Sequence, residues 1–215
     1  VCRIGAQTVR RQLKSLFYEY VNDREMRANL VKSLGFCGEH TRLLLSHKIA
    51  DALGASIIYE HLVKVILREF PTPSANMQPK ELSRKISSFV SASDGLGECL
   101  ACKRRDEAVN YTLSQIASAL DSSTLLEALE TSDGFCFAHL SQLLLRISKP
   151  ADVNFLLTLT KNKLETRKTE MAEVIRKNDH HHHSEGITQE EAIAWKKAMV
   201  ILSGVSINPT GDKHD

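Results

Sequence analysis

Gly134-Phe135-Cys136-Phe137-Ala138-His139 has a counterpart earlier in the chain, Gly35-Phe36-Cys37-Gly38-Glu39-His40, with the same Gly-Phe-Cys-x-x-His pattern. Upstream of each stands another cysteine: Cys102 lies 34 positions before Cys136, and Cys2 lies 35 before Cys37. Cys102 also closes a Cys-x-x-Cys with Cys99. The later copy therefore reads Cys99-x-x-Cys102 … Cys136-x-x-His139, four ligand-type side chains in two close pairs. A tetrahedral ion such as zinc is held by such a set of thiolates and imidazole. Cysteine followed three residues later by histidine also reads as the opening of a helix, where that offset puts both side chains on one side.

The earlier copy offers Cys2, Cys37 and His40. A matching Cys-x-x-Cys would put a further cysteine three residues before Cys2, ahead of Val1, and the expectation is that one stands there. Without it, that group keeps an open coordination position, as catalytic zinc sites do.

Working outward, residues 3–21 carry Val9, Leu13, Leu16, Phe17 and Tyr20 at helical spacing. Asn22-Asp23 caps a short helix with Met26, Leu30 and Val31, and Gly35 ends it in a left-handed turn. The helix opened by Cys37 and His40 is expected to run through Leu43, Leu44 and Ile49 to the region of Gly54. Another follows over residues 55–70, with Ile58, Leu62, Val65 and Ile66 on one stripe. Residues 71–76 hold two prolines and read as a loop. Pro79 opens a helix carrying Leu82, Ile86, Phe89 and Val90, and residues 91–98 read as a linker.

Beyond the linker the order returns. Val109, Leu113 and Ile116 answer Val9, Leu13 and Leu16 at an offset of 100. After a one-residue deletion near Asp121, Leu129, Ser132, Gly134 and Phe135 answer Leu30, Ser33, Gly35 and Phe36. Thr124-x-x-Glu127 reads as a capping box. Ligands, core positions and turn glycine all repeat, so the chain reads as an internal duplication. Pro150 then opens a long helix with Leu156, Leu157, Leu164 and Met171, charge-rich in its second half. Residues 178–186 form a loop with four consecutive histidines, and Thr188-x-x-Glu191 caps a last helix with Trp195, Met199 and Leu202 that ends at Gly204. No segment alternates as a strand. The fold class is all-α: one helical repeat over 1–91, a second with the C-terminal helices over 99–204, and a tail over 205–215, the repeats packing separately or as one domain.

Composition bounds the function. The chain has 215 residues, 42% hydrophobic and 25% charged, with 28 basic and 26 acidic side chains for a net charge of +2. That balance gives no reason to expect a nucleic-acid or anionic-membrane surface. No apolar run is long enough to span a bilayer. Five cysteines, four of them in metal-type spacings, point away from a disulfide framework and toward a reducing cytoplasm.

Each candidate has a plainer reading. Buried cysteines are often inert, but here paired spacing, a turn glycine and repetition favour a metal site. An iron–sulfur cluster can use the same ligands. A redox-active Cys99-x-x-Cys102 normally accompanies a βαβ unit, which is absent. Phe36 and Phe135 read as core plugs beneath the metal loops, His47 and His61 as structural or surface histidines, and Glu60 and Glu69 as solvated acids. His180, His181, His182 and His183 read first as a flexible polar loop, with metal binding or metal delivery as the alternative. No triad, phosphate loop or metalloprotease histidine pair is present.

The chain resembles a little-characterised prokaryotic family of unknown function, whose duplicated helical members carry Cys-x-x-Cys, a Tyr-rich helix and Gly-Phe-Cys-x-x-His twice over. The likeness rests on Cys2, Phe17-Tyr18-Glu19-Tyr20-Val21-Asn22-Asp23, Gly35-Phe36-Cys37 with His40, Cys99-x-x-Cys102, and Gly134-Phe135-Cys136 with His139. Ala55-Ser56-Ile57-Ile58-Tyr59-Glu60 and the Trp195 helix extend it over most of the chain. It implies a helical protein with paired sites and no particular activity. The expected function is metal binding, non-enzymatic, with two structural zinc ions and a protein partner or second copy. The alternative is an electron-transfer protein with [4Fe-4S] clusters, and a weaker one is a hydrolase using the open position beside Cys2, Cys37 and His40.

Overall fold

The computed structural model describes residues 1–46, 49–70, 78–94 and 99–204. Among these residues the regular elements are all helical: α1 (Cys2–Tyr18), α2 (Arg24–Lys32), α3 (Gly38–Ser46), α4 (Ala52–Glu69), α5 (Pro79–Asp94), α6 (Leu100–Ser118), α7 (Ser123–Thr131), α8 (Phe137–Leu144), α9 (Pro150–Lys177) and α10 (Gln189–Ser203), with a single 3-10 turn at His183–Glu185. The protein is all-α. His47, the expected loop at 71–76, part of the expected linker and the tail at 205–215 lie outside the described residues.

Local chemistry explains most boundaries. The Asp23 carboxylate accepts the Met26 N–H at 2.7 Å and starts α2. At the other end of α2 the Gly35 N–H reaches the Leu30 carbonyl at 2.8 Å and the Leu34 N–H reaches Val31, the paired bonds of a Schellman stop. Here Leu34 takes the left-handed position, at φ 49°, and Gly35 follows at φ 104°. The Thr188–Glu191 capping box is present, and Gly204 ends α10 with a left-handed φ of 72°.

Three boundaries differ from the sequence reading. The helix opened by His40 stops at Ser46, because Asp51 caps a new one by accepting from Leu53 and Gly54. Ile49 therefore lies between helices and Gly54 inside α4. The expected cap at Thr124 is not used, since α7 begins at Ser123 with Ser122 as its cap residue. Residues 91–94 belong to α5 rather than to a linker.

The chain packs as two compact units, one over Gly5–Ala108 and one made of residues 1–4 with those from Val109 onward. The sequence limits 1–91 and 99–204 follow the expected duplication, whereas these units are drawn by packing. In the unit over Gly5–Ala108, Leu13, Leu16, Phe17, Leu30, Ile58 and Leu62 form a core that also holds Cys37, Cys99 and Cys102. Phe36 packs on Phe17 with ring centroids 6.1 Å apart, in the plug position read from sequence. In the other unit Leu113, Leu129, Phe135, Leu143 and Leu156 are buried together. Among the described residues no helix is long and apolar enough to cross a membrane.

Candidate metal centres

Cys99 immediately precedes α6, and its carbonyl accepts the Lys103 N–H at 2.9 Å; Cys102 sits in the first turn. Cys37 stands in the same relation to α3, its carbonyl accepting from Thr41 at 2.9 Å, with His40 in the first turn. Two helix N-termini thus converge, and the unpaired N–H groups there favour negative charge. That placement suits thiolates.

The four side chains meet. Cys37 Sγ lies 3.1 Å from His40 Nδ1 and 3.7 Å from Cys102 Sγ. His40 Nδ1 is 3.4 Å from Cys102 Sγ and 3.6 Å from Cys99 Sγ. One ligand atom from each of the four falls within 4.8 Å of the others, and all four residues are buried. Bonds of about 2.3 Å to sulfur and about 2.0 Å to nitrogen place tetrahedral neighbours roughly 3.8 Å (S to S) and roughly 3.5 Å (S to N) apart. The donor set and its spacing fit a single ion.

The electrostatics agree. Burial pushes the Cys99 thiol up, but His40 and the backbone N–H groups of Cys37, Cys102 and Ala101 outweigh it and bring the pKa down to about 6. Cys102 is pushed above its ordinary range, first by burial and then by the negative charges of Cys99 and Cys37. Cys99 forms a thiolate readily here, whereas Cys102 needs a cation to do so. Sequence reasoning passed over Tyr59, whose hydroxyl is raised by burial, engages Thr41 and feels the Cys99 charge.

The second group is Cys2, Cys136 and His139. Cys136 is the cap residue of α8 and Cys2 the first residue of α1, so two helix N-termini meet again. Cys2 Sγ is 3.4 Å from Cys136 Sγ and 3.1 Å from His139 Nδ1, and Cys136 Sγ is 3.1 Å from that nitrogen. Cys136 is buried while Cys2 and His139 are half-buried. Burial, then the Cys136 sulfur, raise Cys2 to about 11. Gly204 comes so close that a Cβ there would lie 3.3 Å from Cys136 Sγ. Its sequence signal was a helix stop alone.

All seven expected ligand residues are therefore gathered, but the pairing differs from the one read in the sequence. Cys99 and Cys102 join Cys37 and His40 instead of Cys136 and His139, and Cys2 joins Cys136 and His139 instead of Cys37 and His40. The group containing Cys37 and His40 has four candidate ligand side chains, so the open position expected there is not found, while the group of Cys2, Cys136 and His139 has three.

Fold and sites define a helical protein with two Cys/His groups that could hold metal. The chain belongs to a family of unknown function, DUF6062, which matches residues 1–208. It is similar to an "Uncharacterized 23.9 kDa protein in xynA 3'region" of Caldicellulosiruptor sp. (strain Rt8B.4), 25% identical over 205 residues, covering 95% of this chain and 94% of the relative. No solved structure matches the chain.

Proposed function

We propose that this is a non-enzymatic zinc protein, in which ions at the two Cys/His groups fix helix ends and thereby shape a surface for a protein partner or a second copy. The carrying observation is the group of Cys37, His40, Cys99 and Cys102, with all ligand atoms within 4.8 Å and buried. Three thiolates around a dication leave one negative charge, and the facing ends of α3 and α6 are suited to it. Zinc is preferred to a cubane cluster on size, because a cluster binds each ligand through a different iron and would hold the donors farther apart than the 3.1 to 3.7 Å found between several of them here. The five cysteines are free thiols, in keeping with a reducing compartment such as the cytoplasm.

Anaerobic purification followed by metal and acid-labile sulfide analysis tests this reading. The expected result is colourless protein with stoichiometric zinc and no sulfide. Absorption near 400 nm that bleaches with dithionite, together with labile sulfide, would replace it with the electron-transfer reading.

A further inference from the structure

Between α9 and α10 the chain turns through Asn178-Asp179-His180-His181-His182, and the cysteine centres have no use for this segment. The turn is held at several points. Asn178 donates its side-chain amide to the Val174 carbonyl at 2.7 Å, and the Asp179 N–H reaches Arg176 at 3.1 Å. Past the histidines, Arg176 donates to the Glu185 carboxylate at 3.0 Å, and Lys177 donates to Glu191 at 2.8 Å, where α10 begins. The His182 N–H closes a turn on the Asp179 carbonyl at 3.0 Å.

Within this frame three side chains converge. Asp179 Oδ1 accepts the His181 N–H at 2.9 Å and lies 3.3 Å from His180 Nδ1. The His180 and His181 rings are 3.7 Å apart at their centroids. One ligand atom each from Asp179, His180 and His181 falls within 4.8 Å of the others. His182 is occupied elsewhere, its Nδ1 3.0 Å from the Glu185 carboxylate.

We propose that Asp179, His180 and His181 form a third metal site, which takes up a first-row divalent cation in exchange with solvent. Two borderline imidazoles beside one hard carboxylate suit zinc, nickel or copper better than calcium or magnesium, which take oxygen ligands. The His180 side chain is 82% exposed and that of Asp179 54%, so water fills the remaining positions and the ion comes and goes. A buried thiolate centre retains its ion. The proposal does not depend on zinc occupying the cysteine groups.

The test is a calorimetric titration of the full chain, as purified with its retained metal, with zinc chloride. One further equivalent is expected at low-micromolar affinity. Asp179→Asn, His180→Ala and His181→Ala should each weaken it by at least about tenfold, and His182→Ala by no more than about threefold. Metal retained by the cysteine groups, measured in parallel, should be the same in all four variants, since the turn is exposed and outside both cores. Absence of a further equivalent below about 100 µM zinc would overturn the site. So would equal losses in His182→Ala and His181→Ala, or an unchanged affinity in Asp179→Asn, because either means that the histidine tract binds as an unordered run. Loss of the retained metal in His181→Ala would also overturn it, by placing that imidazole at a cysteine centre.

Discussion

Replacing Cys99 by serine distinguishes the pairing seen here from the one the repeats suggest. Cys37 and Cys102 have sulfurs 3.7 Å apart, and two thiolates at that distance repel by about 4 kcal/mol at an effective dielectric of about 20. Their joint ionisation therefore depends on the cation, and the cation on a full ligand set. Apparent zinc-binding free energies of about 10–16 kcal/mol shared over four ligands give about 2.5–4 kcal/mol for each, or roughly a 10²–10³-fold loss of affinity when one is removed. The Cys99→Ser protein, challenged with a chelator of graded strength, should release the ion at Cys37, His40 and Cys102 first. Alkylation read by mass spectrometry should then mark Cys37 and Cys102 while Cys2 and Cys136 stay protected. Cys136→Ser should give the complementary pattern, with Cys2 marked and Cys37 protected. Marking of Cys136 in the Cys99→Ser protein, with Cys37 protected, would refute the crossed pairing.

Acidification should weaken metal binding at the four-ligand centre in two stages. Cys102 starts as a thiol over the neutral range and must release its proton to coordinate; below about 6 Cys99 is also protonated. Protons then compete at one more ligand, so a plot of log affinity against pH should fall as pH falls and steepen near 6, as read by competition with a chromogenic chelator. An unbroken slope between pH 5 and 8 would contradict this assignment. Gly54→Ala should destabilise the unit over Gly5–Ala108 even though alanine is the better helix former by about 1 kcal/mol. A Cβ there would stand 2.1 Å from the Phe17 carbonyl oxygen, and forcing α1 from α4 should cost about 1–3 kcal/mol beyond that gain. A raised melting temperature would mean that the two helices do not meet as described.

Much of the fold was legible because each signal was local. Val9, Leu13, Leu16 and Phe17 recur at helical spacing and are all buried. Asp23, Pro150, Thr188 and Gly204 act at helix ends where their side chains or backbone freedom dictate. Errors arose where two local solutions competed. Asp51 can cap, so the apolar run through Leu43 and Ile49 broke in two. Ser122 and Thr124 are both cap residues by type, and the chain uses the position of Ser122 without a side-chain bond. The ligand side chains were legible for the same reason, since Cys-x-x-Cys and Cys-x-x-His each place two donors on one helix turn.

Which pair meets which was not legible, and loop closure shows why. The within-repeat pairing closes 34 or 35 residues, whereas the observed groups join Cys102 to His40 across 62 and Cys2 to Cys136 across 134. By the logarithmic law for flexible loops the longer closures cost only about 0.5 and about 1 kcal/mol more. Differences that small are overridden by the placement of two helix N-termini. Leu13, Phe17, Phe36 and Ala101 lie in one buried core with Cys37, Cys99 and Cys102, at the starts of α3 and α6. Spacing therefore selects the ligands, while the packing of α1, α3 and α6 selects their partners. A variant that disturbs this core without touching a ligand, such as Leu13→Ala at a position with no exposure, should thus lower metal retention at Cys37, His40, Cys99 and Cys102. Its cavity cost of about 2–5 kcal/mol exceeds that small closure difference, which is why the core and not the chain length decides the pairing.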